Sequence, residues 1–140
     1  VVCGDVSGSL AAVLARIQNE LFHLGSELCF PPETGEQRAV PRIEGRHVDV
    51  LETDMATLGC DLAPLENFIL PGGCEASARL HLARCVCRRA ERRVVELAMT
   101  ESVGDHSVRY LNRLSDLLYV LARVENARAG VPDVTWDSRA

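Results

Sequence analysis

Apolar side chains recur at intervals of three and four residues along most of the chain, which is the spacing of one face of an α-helix. This periodicity predicts four helices, which cover about residues 9–28, 44–62, 75–100 and 106–127. Prolines, glycines and charges separate them, as in FPPETGEQRAVPR (30–42), and indicate loops. Because no segment has a convincing strand pattern, we predict an all-α antiparallel helical bundle that forms one domain over residues 1–140.

The spacing within the last two predicted helices indicates which positions face the interior. The inward face of the third helix mixes small and large residues: Ala76, Leu80, Ala83, Cys87, Ala90, Val94 and Leu97. Its alanines would let a neighbouring helix approach closely, because the side chains at a contact set the distance between helix axes. The inward positions of the fourth helix are Leu111, Leu114, Leu118 and Leu121. The tail AGVPDVTWDSRA is expected to be coil that Trp136 anchors.

The composition is that of an ordinary globular domain, with 47% apolar and 25% charged residues among 140. The net charge is −5, which argues against a uniformly basic nucleic-acid binder. No run approaches the roughly 20 apolar residues of a membrane-spanning helix, so neither nucleic acid nor membrane is expected as a partner. Positive charge is instead concentrated in RLHLARCVCRRAERR (79–93), which holds six arginines and one glutamate.

The arginines of this basic segment fall on different faces of the predicted third helix. At about 100° per residue, Arg84, Arg88 and Glu91 lie within about 60° of one another, on the shoulder of the apolar seam. Arg89 and Arg93 point away from the seam and are expected to be solvated. Two guanidinium groups one turn apart suit a polyphosphate or carboxylates, and Glu91 could hold one of them or reach a phosphate-bound Mg²⁺. A structural ion-pair network is the alternative interpretation, and the pattern alone does not separate the two.

Polar residues of another kind share one side of the predicted fourth helix: Asn112, Ser115, Asp116, Tyr119 and Arg123. A face exposed only to water would more often carry Glu, Lys or Arg. Asn, Ser and Tyr between leucines indicate a partly buried surface whose polar groups must be hydrogen-bonded. The partner is either a ligand or, alternatively, neighbouring loops and helices of the same protein.

The loop FILPGG (68–73) is the third unusual element. Pro71 ends an apolar run, and the two glycines after it allow backbone angles that other residues resist. Such a pair before a helix either forms a tight turn or presents N–H groups to an anion. Phe68, taken alone, is expected to be a core residue.

The six cysteines form no CxxC pair and have no repeating spacing, so we predict buried free thiols. His81 and Cys85 stand four residues apart and could share a metal ion, but no second pair accompanies them. The cysteines therefore give little support to a metal site.

Four stretches together resemble the PduO-type ATP:cob(I)alamin adenosyltransferases: IQNELFHLGSEL (17–28), FILPGG (68–73), LHLARCVCRRAER (80–92) and YLNRLSDLLYVLAR (110–123). They follow the family's order and cover most of the chain. The resemblance implies a homotrimer of helical bundles, five helices in each full-length subunit, with active sites between subunits. It also implies an enzyme that moves the 5′-deoxyadenosyl group of ATP onto cob(I)alamin and releases triphosphate, with Mg²⁺ as a cofactor.

The resemblance also implies roles for particular side chains. Arg88 would bind the triphosphate and, with Arg84 and Phe68, form the catalytic set. Asn112 and Ser115 would help to hold ATP, and Glu91 would belong to the nucleotide and Mg²⁺ side. Arg84 would sit at the subunit contact that shapes the corrin site. Phe68 would press under the corrin and displace the lower axial ligand, so that four-coordinate Co(II) becomes reducible.

Two departures from the family pattern stand out. A TGDxGxT-like phosphate-binding segment and the Asp-Glu-Leu-Asn-like segment that follows it are absent, and we expect that the beginning of the chain is truncated. The acid expected to pair with Arg84 belongs to that absent part. Family members often carry a lysine in the loop after the IQNELF helix, where this chain has none, and Arg38 or Arg42 could substitute.

Other functions and partners stay open at the level of the sequence. The same bundle could bind cobalamin or a nucleotide without turnover and deliver it to a client enzyme, or it could serve only as an oligomerisation unit. The family's partners would include a cobalamin-dependent mutase or dehydratase and a cob(II)alamin reductase. Its compartment would be the bacterial cytoplasm, or the mitochondrial matrix in a eukaryote. The sequence does not determine which pathway uses the product.

Overall fold

A computed structural model describes the backbone of residues 6–30 and 40–139, and the side chains of that part from Leu10 onward. Four helices are present: α1 (Val6–Cys29), α2 (Gly45–Leu58), α3 (Glu75–Leu97) and α4 (Ser107–Arg128). The predicted all-α bundle is confirmed, and every helix begins and ends within a few residues of its predicted bounds. The only bridge between extended segments in the described residues joins Ile69 to Thr135.

Local hydrogen bonds mark the end of α2 and the start of α3. The N–H of Gly59 donates to the carbonyl of Met55 (3.0 Å), and the chain then turns so that α2 ends before the predicted residue 62. At the start of α3, the Cys74 thiol accepts a hydrogen bond from the N–H of Ser77 (3.5 Å). This bond satisfies one of the N–H groups that a helix start leaves without an intrahelical partner.

α4 lies at the centre of the bundle and packs against the other three helices. It is antiparallel to α3, because the Cys87 thiol donates to the carbonyl of Leu111 (3.2 Å) while Arg84 lies beside Tyr119 further along α4. The four predicted inward leucines of α4 are all buried, and Leu117 joins them with no exposed surface. The core is therefore organised around α4.

The predicted inward face of α3 is only partly buried within this chain. Leu80, Cys87 and Val94 are buried, as predicted. The alanines at 76, 83 and 90 and Leu97 are exposed, which corrects the prediction for these positions. For Ala83 and Ala90 the physical reason is that none of the described helices covers the open apolar groove between α1 and α3 that these two alanines line.

Charged and polar side chains join α1 to α2 and α4. The hydroxyl of Tyr110 donates to the buried carboxylate of Glu20 (2.8 Å), which also pairs with Arg16 (2.5 Å). Arg16 pairs in addition with Asp54 on α2. Burial raises the pKa of Asp54 against the opposing effect of Arg16. Because each of these carboxylates has a cationic or hydroxyl partner, the cost of burying it is largely offset.

A second buried carboxylate joins the end of α1 to the segment before α2 and to the start of α4. Glu27 accepts hydrogen bonds from the N–H of Ile43 (3.1 Å) and the hydroxyl of Ser107 (3.3 Å), and it lies 3.7 Å from Arg42. Arg42, one of the two residues that could substitute for a loop lysine, thus already contacts a carboxylate of the bundle. The other, Arg38, lies outside the described residues.

Within the part of the chain that the structure describes, none of the four helices is both long and apolar enough to cross a membrane. α4 is the most deeply buried helix, but its inward leucines alternate with polar residues such as Asn112 and Arg123.

Candidate functional site

The shoulder of α3 meets α4 through a polar contact. The carboxylate of Glu91, whose side chain is only 15% exposed, accepts a hydrogen bond from the amide of Asn112 (2.9 Å). Arg88 reaches the same carboxylate at 4.0 Å and keeps 47% of its side chain exposed. The structure thus brings together Arg88 and Glu91, which were predicted on the shoulder of the third helix, and Asn112, which was predicted on the polar side of the fourth.

Ser115 lies next to this contact but faces the interior. Its side chain is fully buried, and its hydroxyl donates to the carbonyl of Asn112 in the preceding turn (2.8 Å). The hydroxyl oxygen keeps its capacity to accept hydrogen bonds. In this structure Ser115 therefore supports the backbone that carries Asn112, and its predicted contact with ATP stays a prediction.

Arg84 lies one turn before Arg88 and packs on an aromatic ring. Its guanidinium carbon is 5.0 Å from the centre of the Tyr119 ring, within the range of a cation–π interaction. The Nε atom of Arg84 is buried and has no hydrogen-bond partner among the described residues. Such a donor is costly to leave unpaired. Arg84 is thus held against Tyr119 while the hydrogen-bonding capacity of its Nε is unused.

His81 also packs against Tyr119, with ring centres 6.1 Å apart. It is buried, and its Nε2 atom also has no hydrogen-bond partner within the described part of the chain. Burial and, to a smaller degree, the positive charge of Arg84 lower the pKa of His81. Both effects favour the neutral imidazole, so the positive charge of the cluster is assigned to Arg84.

The other arginines of the basic segment are surface residues. Arg89 is exposed, and Arg93 is bound to Glu96 one turn further on (2.7 Å). Arg79 pairs with Glu75 in the same way (2.5 Å). Exposed pairs of this kind contribute little to stability. The predicted exposure of Arg89 and Arg93 is confirmed, whereas Arg84 packs on Tyr119 of α4 and Arg88 lies beside Glu91, which is bonded to α4.

The glycines of FILPGG form a tight turn. Gly73 has a φ of 102°, and a Cβ atom there would lie 2.0 Å from the amide oxygen of Asn126. That oxygen accepts a hydrogen bond from the N–H of Cys74 (3.0 Å). Glycine is required at 73 by backbone angle and by space together, and the N–H of Cys74 already has a partner. The turn interpretation of this loop is the one that these contacts favour.

Phe68 projects from this loop into solvent. Its side chain is 79% exposed, so the expectation from sequence that it is a core residue is wrong. Its ring centre lies 6.4 Å from that of Trp136, which is 52% exposed. The two rings border a cleft of about 480 Å³ that Tyr119 also lines. From the sequence, Trp136 was expected only to anchor the tail. The signal that could have indicated a larger role is that Trp136 is one of the few aromatic residues of the chain.

The cysteines differ from the prediction. Cys87 is buried, Cys74 is half-buried, and Cys29, Cys60 and Cys85 are exposed, while Cys3 lies outside the described residues. The prediction of buried thiols is therefore wrong for three of them, because each lies on the outer side of a helix or in a connection. Nor do the described residues contain any group of three His, Cys, Asp or Glu side chains placed to hold a metal ion.

These observations define a class of protein first: an all-helical bundle with an arginine-rich polar surface beside an exposed aromatic cleft. Comparison with known proteins then identifies the family. The family model for cobalamin adenosyltransferase matches residues 2–125, and the chain belongs to this family.

Individual relatives agree with this assignment. The chain is 43% identical over 132 residues to a cobalamin adenosyltransferase of Cupriavidus metallidurans, and 41% identical over 131 residues to a corrinoid adenosyltransferase of Bacillus subtilis. Each match covers 94% of this chain, but only 68% and 66% of the respective relative. The chain thus spans about two thirds of the length of these relatives.

Solved structures resemble the fold closely. A variant of the PduO-type ATP:corrinoid adenosyltransferase from Lactobacillus reuteri, complexed with cobalamin and ATP, superposes with a TM-score of 0.87 at 30% identity. The superposition covers 93% of this chain and 71% of that one. A second variant of the same enzyme, complexed with ATP, gives a TM-score of 0.83 at 29% identity.

Proposed function

We propose that the protein transfers the 5′-deoxyadenosyl group of ATP to cob(I)alamin, forming adenosylcobalamin and releasing triphosphate. The observation that carries the proposal is that Arg88, grouped with Glu91 and Asn112, lies one turn of α3 from Arg84, which packs on Tyr119, and that Tyr119 lines the same cleft as the exposed Phe68, in a chain of this family. One surface thus combines a site suited to phosphates with an apolar ring suited to a flat macrocycle.

The reaction needs no nucleophile from the protein. The cobalt of cob(I)alamin supplies both electrons of the new bond to C5′ of ATP, while the bond from C5′ to the triphosphate oxygen breaks. Cobalt is thereby oxidised from Co(I) to Co(III), and triphosphate leaves with the bonding electrons. The work left to the protein is to position the two substrates and to stabilise the departing charge.

Arg88 is the residue best placed to bind the triphosphate. It is half exposed, its distance of 4.0 Å from Glu91 is that of a loose pair, and guanidinium groups bind phosphate oxygens in pairs of hydrogen bonds. Asn112, held by Glu91 and carried on the turn that Ser115 braces, would orient the nucleotide beside it. Arg84 would lie at the subunit contact that shapes the corrin site.

Mg²⁺ would enter this site bound to ATP. Magnesium in nucleotide sites commonly keeps several waters and takes only one or two carboxylates from the protein, with the phosphates supplying other ligands. Glu91 is a single carboxylate beside Arg88, and this fits such a shared site better than a cage formed by protein groups alone. In that role Glu91 would exchange its loose contact with Arg88 for the metal ion.

Phe68 would act on the corrinoid. An apolar ring against the lower face of the corrin excludes an axial donor without replacing it, and losing that donor lowers the orbital that must accept the electron in the reduction to Co(I). The exposure of the Phe68 ring leaves it free to make this contact.

The proposal includes a homotrimer with active sites between subunits. The buried Nε of Arg84, which has no hydrogen-bond partner among the described residues, and the exposed alanines of α3 support a partner surface next to this region. A cob(II)alamin reductase and a cobalamin-dependent mutase or dehydratase are the expected further partners. The expected compartment is the cytoplasm of a bacterium, or the mitochondrial matrix of a eukaryote.

The test is direct. The full-length protein is mixed with reduced cobalamin and ATP, and the absorbance of cob(I)alamin is followed as adenosylcobalamin forms. Absence of the product under strictly reducing conditions contradicts the proposal. Tight binding of cobalamin without an ATP-dependent product would instead favour a bundle that delivers the cofactor to a client enzyme.

A further inference from the structure

The C-terminal tail is hydrogen-bonded to the loop that carries Phe68. The N–H of Trp136 donates to the carbonyl of Phe68 (2.7 Å), and the N–H of Leu70 donates to the carbonyl of Val134 (2.8 Å). Ile69 and Thr135 form the antiparallel bridge between these two bonds. The backbone on which Phe68 sits is therefore paired with the backbone that carries Trp136.

The tail itself is fixed to the bundle. Asp133 accepts hydrogen bonds from Arg123 (2.9 Å) and from the amide of Asn126 (3.2 Å), and the first of these pairs is largely shielded from solvent. The Asn126 amide also donates to the carbonyl of Gly72 (3.2 Å). One side chain of α4 thus holds both the FILPGG turn and the tail, so that the two segments have a defined relative position.

The two aromatic rings meet above this backbone contact. The planes of Phe68 and Trp136 are inclined by 57°, and their centre-to-centre distance of 6.4 Å lies within the range of about 4.5–7 Å over which aromatic pairs interact. Phe68 is otherwise largely exposed, so few side chains of its own chain limit its rotation. Among the described residues, the aromatic ring paired with Phe68 is that of Trp136.

We propose that Trp136 is a positioning residue for the corrinoid step, because it holds the Phe68 ring in the orientation that faces the corrin. This inference rests on the proposed function. Trp136 acts through Phe68 rather than on the reacting atoms, and the tail thereby becomes part of the active site. A phenylalanine that rotates freely would exclude the axial ligand for only part of the time.

The experiment measures the coordination of cobalt rather than turnover alone. Cob(II)alamin bound to the full-length protein with ATP is examined by electron paramagnetic resonance, in which a lower nitrogen ligand splits the cobalt signal. Trp136→Ala is expected to lower the ratio of ligand-free to ligand-bound cobalt by about two- to tenfold, the range that an aromatic contact accounts for. Trp136→Phe should restore much of it, and the KM for ATP should not change.

The matched control is Val134→Ala in the same tail. Val134 is 61% exposed, and its contribution to the pairing with Leu70 comes from its backbone carbonyl. The variant should therefore behave as the parent protein. A loss equal to that of Trp136→Ala would show that the tail as a whole matters and not the ring, and would overturn the proposal.

A double-mutant cycle provides the sharper test. If Trp136 acts through Phe68, adding Trp136→Ala to Phe68→Ala should change the cobalt spectrum no further. Independent effects of the two substitutions, or no effect of Trp136→Ala alone, would overturn the inference. The parent protein separates this failure from that of the proposed function: if it forms adenosylcobalamin while the Trp136 variant is unaltered, only the inference fails.

Trp136 also supplies a probe for folding and binding, because it is the single tryptophan of the chain. The corrin absorbs where tryptophan emits, so cobalamin bound next to Trp136 should quench its fluorescence. Phe68→Ala should keep this quenching if the corrinoid still binds there. Unquenched emission with bound cobalamin would place the corrinoid elsewhere and overturn the inference.

Discussion

α3 and α4 lie antiparallel against each other and have nearly equal lengths, 23 and 22 residues. They differ in how many residues they bury and in whether their buried polar atoms have hydrogen-bond partners. α4 buries eleven residues and α3 only five. The buried polar groups of α4 all have partners: Ser107 and Tyr110 bind glutamates of α1, and Ser115 and Asn126 bind backbone groups. In α3, buried nitrogen atoms of His81 and Arg84 have none among the described residues.

This difference separates stability from function. A buried polar group with a partner rigidifies the fold, whereas one without a partner is costly and has capacity left for a ligand or another subunit. α4 thus provides the scaffold, and the side of α3 next to it carries the groups that remain available. Substitutions in the interior of α4 should change the free energy of unfolding, and those at Arg84 and Arg88 should change binding.

The largest expected effect on stability is at Leu114 of α4, which is 2% exposed. Leu114→Ala should lower the free energy of unfolding by about 2–5 kcal/mol, because it removes buried surface and leaves a cavity. The control is Leu97→Ala at the end of α3, where the side chain is 38% exposed. It should cost about 1 kcal/mol or less. Urea unfolding measures both, and equal losses would mean that α3 is as much a part of the scaffold as α4.

The next effect concerns activity and the two adjacent arginines of α3. Arg88→Ala should lower kcat/KM for ATP by about 100-fold, the usual loss when a group that stabilises developing charge is removed. Arg89→Ala should leave it nearly unchanged, because Arg89 lies on the exposed side of the helix. Steady-state kinetics at varied ATP concentration compares them. Similar losses in the two variants would refute the assignment of Arg88 to the site.

The smallest effect is a pH dependence at the contact between α3 and α4. Burial, and to a smaller degree Glu91, raises the pKa of the Cys87 thiol from about 9 to about 12. The folded protein therefore holds this proton more tightly than the unfolded chain does. Stability from the neutral thiol is fully present below pH 9 and is lost as the pH rises toward 12. Cys87→Ala should show a weaker decline in unfolding free energy over this interval.

Alkylation supplies an independent check on the same contact. At pH 8 iodoacetamide should modify the exposed Cys85 rapidly and the buried Cys87 only after unfolding, because the thiolate is the reactive form. Mass spectrometry of the peptide that contains both residues distinguishes them. Equal modification of the two thiols in the folded protein would contradict the packing of Cys87 against α4.

The sequence by itself determined the four helices and the division of the arginines. Both follow from a local property, the rotation of about 100° per residue, which fixes the face on which each side chain lies once a helix forms. Arg88 and Glu91 could thus be placed together, and Arg89 opposite, without knowledge of the fold. The inward leucines of α4 followed from the same periodicity.

Only the tertiary structure decided which faces meet. The contact of Glu91 with Asn112 joins residues 21 apart, and the pair of Phe68 and Trp136 joins residues much further apart. Neither depends on helical periodicity, because both are set by how separate segments pack. For the same reason the sequence placed Phe68 in the core and the alanines of α3 in a buried seam: it shows that a side chain is apolar, but only the assembled bundle shows whether another segment covers it.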